Sequence, residues 1–80
     1  MKYLEYSKIR DAFLVQKGNK DPGIRFGMIF MLKCDLEKLV GANEHIKGFM
    51  EIRELNGLMD IELSKAEKEQ EKIRRELKHV

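Results

Sequence analysis

Residues 44–80, EHIKGFMEIRELNGLMDIELSKAEKEQEKIRRELKHV, run without a proline, and their reading decides the fold. One set of positions seven apart is Phe49, Asn56, Leu63, Gln70 and Leu77. A companion set, three residues later each time, is Ile52, Met59, Ala66, Ile73 and Val80. Two such sets in one unbroken phase form the a/d repeat of a coiled-coil seam. The seam is imperfect. Asn56 and Gln70 stand at a positions, where a polar side chain lowers stability but can fix register and oligomer number, and Ala66 packs weakly. In a parallel, in-register pair Glu69 would meet Arg74 favourably, whereas Glu62 would meet Glu67 unfavourably, so charge chooses no orientation. Glu71 and Arg75 add the favoured i,i+4 pair on the outer face.

Asn56-Gly57 is the point where two architectures part. Asn-Gly is a turn signal, and a glycine inside a helix costs about 1 kcal/mol relative to alanine. A turn there would give a compact four-helix bundle. A helix running through would make residues 44–79 a rod of roughly 54 Å at the usual rise per residue. Helices upstream span only about 20 to 30 Å by the same rise, so they would leave one end uncovered. The heptad phase continues across Gly57, and the rod is therefore the expected form.

Working toward the N-terminus, Tyr3 to Lys17 reads as a first helix, with Tyr6, Ile9 and Phe13 on one face. Gly18 supplies a stop that can take the left-handed conformation, and Asp21-Pro22 restarts the chain with an N-cap and a first-turn proline. The second helix is expected over residues 22–40, with Ile24, Met28, Met31, Leu32, Leu36, Leu39 and Val40 along a stripe. Phe26, Ile29 and Phe30 add apolar surface on other faces, and a strand over residues 24–32 competes, because a short apolar run cannot be typed by period alone. Leucine and methionine in the second half, and Pro22 at the first turn, favour helix. Gly41 then closes this helix and Asn43 caps the next. The expected fold is all-α: one domain over residues 1–80, a helical hairpin or bundle with a long coiled-coil-like last helix.

At 80 residues the chain is near the lower limit for folding on one core, and disulfides, metals or oligomerisation usually assist at that size. Cys34 is the single cysteine, which excludes an internal disulfide and suits a reducing, cytoplasmic compartment. Oligomerisation is the aid that remains. Met1 to Arg10 interleaves charges with apolar residues and contains no apolar run of the signal-peptide kind. The apolar stretch from Ile24 to Val40 is broken by charges and is shorter than the ~20 residues of a membrane span, so no membrane insertion is expected. Charge is distributed without strong asymmetry: five basic and two acidic groups in residues 1–20, five and eight in 21–63, six and four in 64–80.

Chemistry has little to work with. His45, His79 and Cys34 lack the paired spacings of zinc ligands, no serine has a base at a recognisable spacing, and Gly18 to Gly23 lacks the Gly-Lys-Ser/Thr ending of a phosphate loop. No enzyme activity, cofactor or metal is expected. A helix–Gly–helix around Gly41 could mimic a DNA-binding motif, but its second helix carries Lys47 and Arg53 against Glu44, Glu51 and Glu54 and would be repelled by phosphate. Better basic candidates are Lys65, Lys68, Lys72, Arg74, Arg75 and Lys78, with four glutamates interleaved. The expected function is a non-catalytic protein–protein interaction module, such as an adaptor, assembly subunit or small regulatory inhibitor, that self-associates as a dimer or higher homo-oligomer. Its interface would be Phe49, Ile52, Asn56, Met59, Leu63, Ala66, Gln70, Ile73 and Leu77. The alternative is a small DNA- or RNA-binding protein using the six basic residues of the last helix.

Overall fold

Three helices follow one another in a computed structural model that describes residues 3–78: α1 (Tyr3–Lys17), α2 (Pro22–Ala42) and α3 (Met50–Lys78). A single 3-10 turn, Glu44–Ile46, lies between α2 and α3. Val80, the last member of the heptad pattern, and His79 lie outside the described residues. Residues 24–32 are helical, and α3 runs unbroken through Asn56-Gly57 for 29 residues, about 43 Å at the helical rise.

Local chemistry sets most of the boundaries. Asp21 Oδ1 accepts hydrogen bonds from the Gly23 and Ile24 backbone N–H groups at 2.9 and 3.1 Å, and Pro22 follows at the first helical position. Other ends differ from the sequence reading. Gly18 does not adopt a positive φ; α1 closes instead with tight bonds from Gly18 N to Val15 O and from Asn19 N to Gln16 O. Gly41 does not stop α2, which continues to Ala42. Asn43 makes no side-chain bond to the turn that follows; its Nδ2 donates backward to Leu39 O at 3.0 Å, satisfying a carbonyl at the end of α2. The last helix begins at Met50, not at residue 44. Gly48, a poor helix residue, lies in a turn there, and the 3-10 segment tucks Ile46 fully into the core.

Side chains explain the topology. Gln70 Nε2 donates to Pro22 O at 3.2 Å, Arg25 Nη2 reaches Glu69 Oε2 at 2.6 Å, and Lys33 pairs with Asp60. The start of α2 therefore meets the far part of α3, and the two are antiparallel. α2 is central: it packs against both other helices, which touch each other little. The core joins Tyr6 and Phe13 of α1, Ile29, Leu36 and Leu39 of α2, Ile46 of the turn, and Ile52, Leu55 and Met59 of α3. Beyond Gln70, α3 extends past the start of α2, and residues 71–78 are all exposed. That overhang gives the molecule its extents of 52 × 19 × 17 Å.

Candidate interaction surface

The heptad seam is divided among three environments. Ile52, Met59 and Ala66 are buried at 5 %, 0 % and 0 % exposure, and Leu63 is half-buried against the same cluster. These side chains pack on the chain's own helices. Leu55 and Glu62, one position before an a residue, are also buried, so the buried stripe is rotated toward g. Asn56 is exposed and lines an open cleft between α2 and α3 with Glu37, Val40 and Arg53. Gln70 is half-buried, and its bond to Pro22 O ends the covered part of the seam. Phe49 is 40 % exposed, with its ring edge-on to His45 at 6.3 Å. Ile73 and Leu77 are 45 % and 69 % exposed on the overhang. They continue the same stripe past the end of its cover.

The six basic candidates lie toward the end of α3. Lys65 Nζ is 3.5 Å from Glu62 Oε1, and Arg75 Nη2 is 2.7 Å from Glu71 Oε1. Lys68, Lys72, Arg74 and Lys78 are exposed. By helical spacing Lys65, Lys68, Lys72 and Arg75 share one face, while Arg74 and Lys78 lie on another, with glutamates between them. The arrangement forms no continuous basic track.

Two features escaped the sequence reading. The first is Arg25, a charged residue only 7 % exposed in the most apolar part of α2. Its Nη1 donates to Asn19 O at 2.8 Å and its Nη2 to Glu69, while Nε is buried with no acceptor among the described residues. Arg25 lies four residues before Ile29 and eleven before Leu36, on the buried face, and that spacing was the available signal. The second is apolar surface on α3 off the seam, which adds to the apolar surface of α2 that Phe30 already signals in the sequence. Ile24, Phe30 and Met31 of α2 are 54 %, 52 % and 61 % exposed; Met50, Leu58 and Ile61 of α3 are 72 %, 47 % and 53 % exposed. In heptad terms the α3 set occupies b, c and f positions, where a lone coiled coil carries polar groups.

Cys34 is half-buried, and among the described residues no three His, Cys, Asp or Glu side chains group where a metal ion could sit. No helix of the described residues is long and apolar enough to cross a membrane. No protein-family model, curated protein or solved structure matches the chain at a significant level.

Proposed function

We propose that this chain is a helical protein-interaction module, working as an adaptor, assembly subunit or small inhibitor, and that association with another chain completes its structure. One observation supports the reading. Among the described residues ten apolar side chains form the buried set, yet twelve large ones stand exposed on the three helices and the turn before α3. Scattered apolar residues are ordinary on a protein surface, but twelve exposed ones beside a core of ten buried and four half-buried side chains, in so short a chain, support the reading of a surface that another chain covers. Burying such area contributes roughly 25 cal/mol per Å², a large addition where a small core leaves little margin. The single cysteine fits a cytoplasmic setting.

The interface differs from the full a/d seam. Ile52, Met59, Leu63 and Ala66 face the chain's own helices, so their role is internal; Phe49, Ile73 and Leu77 stay available with the outward sets on α2 and α3. Absolute mass in solution by light scattering, over a roughly hundredfold range of concentration, tests the reading. A mass above that of the 9.4 kDa chain supports it. A folded monomer throughout removes self-association, and one that also cross-links to no other protein in the cells that make it ends the proposal.

A further inference from the structure

On α3, the side turned away from the core carries Met50, Leu58 and Ile61, all exposed. Gly57 lies among them and leaves a shallow depression edged by Arg53, Glu54, Leu58 and Ile61. A second depression, bounded by Gly48, Met50, Arg53 and Glu54, continues it toward the start of the helix. Glycine weakens a helix interior relative to alanine, and among the described residues nothing lies within 4 Å of the place a Gly57 Cβ would occupy apart from the helix's own turns. Packing inside this chain therefore gives no reason for a glycine at that position.

From this face we infer that a second copy of the chain docks there, α3 against α3 in antiparallel orientation; the inference rests on the reading of the chain as an interaction module. Helical spacing fixes what would meet. With Gly57 of one copy opposite Leu58 of the other, Leu58 fills the depression over the glycine, Ile61 lies against Glu54, and Met50 lies along the stem of Lys65. On one flank Arg53 comes within reach of Asp60 of the second copy, and on the other Glu51 comes within reach of Lys65. A two-fold axis makes each of these pairs twice, so the face is complementary to itself in charge as well as in shape. Arg53 and Glu51 have no ion-pair partner among the described residues, while Asp60 and Lys65 remain more than half exposed beside Lys33 and Glu62.

A parallel pair would also bring Arg53 to Glu54. It would set Gly57 against Gly57 with the depression unfilled, and it would align two helix dipoles that the antiparallel pair opposes. The broader apolar patch on α2 has no charge between Phe26 and Leu32, so nothing on it specifies an occupant. The α3 face does.

Sedimentation equilibrium of the full chain and of a Leu58→Asp, Ile61→Asp variant tests the pairing, with circular dichroism to show that the exposed substitutions leave the helices intact. A dimer that associates at least tenfold more weakly in the variant is the expected result. A wild-type chain that stays monomeric at every concentration overturns the pairing, and a dimer undiminished in the variant overturns the face. Neither outcome removes the broader reading, which ends only if the chain also cross-links to no other protein. Orientation is read in a Cys34→Ser background, mixing chains that carry Glu54→Cys with chains that carry Ile61→Cys. A disulfide between the two kinds of chain supports the antiparallel pair, and a dominant disulfide between two Ile61→Cys chains overturns it.

Discussion

Along α3 one heptad pattern meets two fates. From Ile52 to Ala66 the seam, Asn56 apart, is covered by the chain's own helices, and Met59 and Ala66 are completely buried. From Ile73 to Leu77 the same stripe is exposed: Ile73 edges a depression beside Pro22 and Gly23 at the start of α2, and Leu77 lies one helical turn beyond it. A heptad records that a face is buried. It does not record whose helix buries it. In this chain the pattern from Ile52 to Ala66 is answered largely within the molecule, and Ile73 and Leu77 are left open.

The sharpest way to break that comparison is to remove one apolar side chain from each region. Met59→Ala should lower unfolding free energy by about 2–5 kcal/mol, through lost transfer energy and the cavity left behind. Phe13→Ala, on the opposite wall of the same core, should cost about 3–5 kcal/mol. Leu77→Ala should stay within roughly 0.5 kcal/mol, as exposed substitutions do. Urea titration of the three variants, at a protein concentration low enough to favour a monomer, gives the values. If Leu77→Ala costs as much as Met59→Ala, the overhang is covered after all and the two regions are alike.

Between the two regions stands the Arg25–Glu69 pair, and its partners are unequal. The Arg25 side chain is 9 % exposed, whereas that of Glu69 is 53 % exposed. Arg25→Ala removes a charge-assisted bond to Asn19 O together with the packed stem, and should cost about 2 kcal/mol. Glu69→Gln leaves an uncharged acceptor in a half-solvated place, so its cost should be below about 1 kcal/mol and should shrink further in high salt. Equal losses in thermal or urea unfolding would mean that the carboxylate, and not the anchoring of the α1–α2 loop, accounts for the burial of Arg25.

How much of this was legible beforehand divides along similar lines. The three helices, the Asp21-Pro22 restart and the continuity of α3 through Gly57 all follow from period and capping, which act within a few residues. The ends that were misread depended on choices with more than one local solution. Asn43 had a free carbonyl behind it as well as free N–H groups ahead, and it bonded backward to Leu39 O. Gly41 could end a helix but had no need to, because a helix tolerates glycine at modest cost. Gly48, unremarked in the sequence, lies where the chain turns so that Ile46 can be buried, a demand set by tertiary packing alone. The candidate surface was less legible still. Periodicity identified Ile52, Met59, Leu63 and Ala66 as contact residues, and the contacts they make are internal. The exposed apolar residues off the period, Met50, Leu58 and Ile61, are those on which the proposed outer face rests.

The smallest expected effect separates the inner and outer faces of α3 most cleanly. Gly57 has helical backbone geometry and an open outer side, so Gly57→Ala adds a methyl group at no steric cost within the chain. It should stabilise the monomer by up to about 1 kcal/mol, raising Tm by roughly 4–8 °C for a domain of this size. The same methyl group would occupy the depression into which Leu58 of a second copy fits, so association should weaken while folding strengthens. Opposite signs in one variant are hard to obtain unless the outer side of the helix is an interface. Thermal melts at low concentration report the first sign, and sedimentation at high concentration the second. If folding and association both strengthen, helix propensity alone governs the position and Gly57 has no part in bringing two helices together.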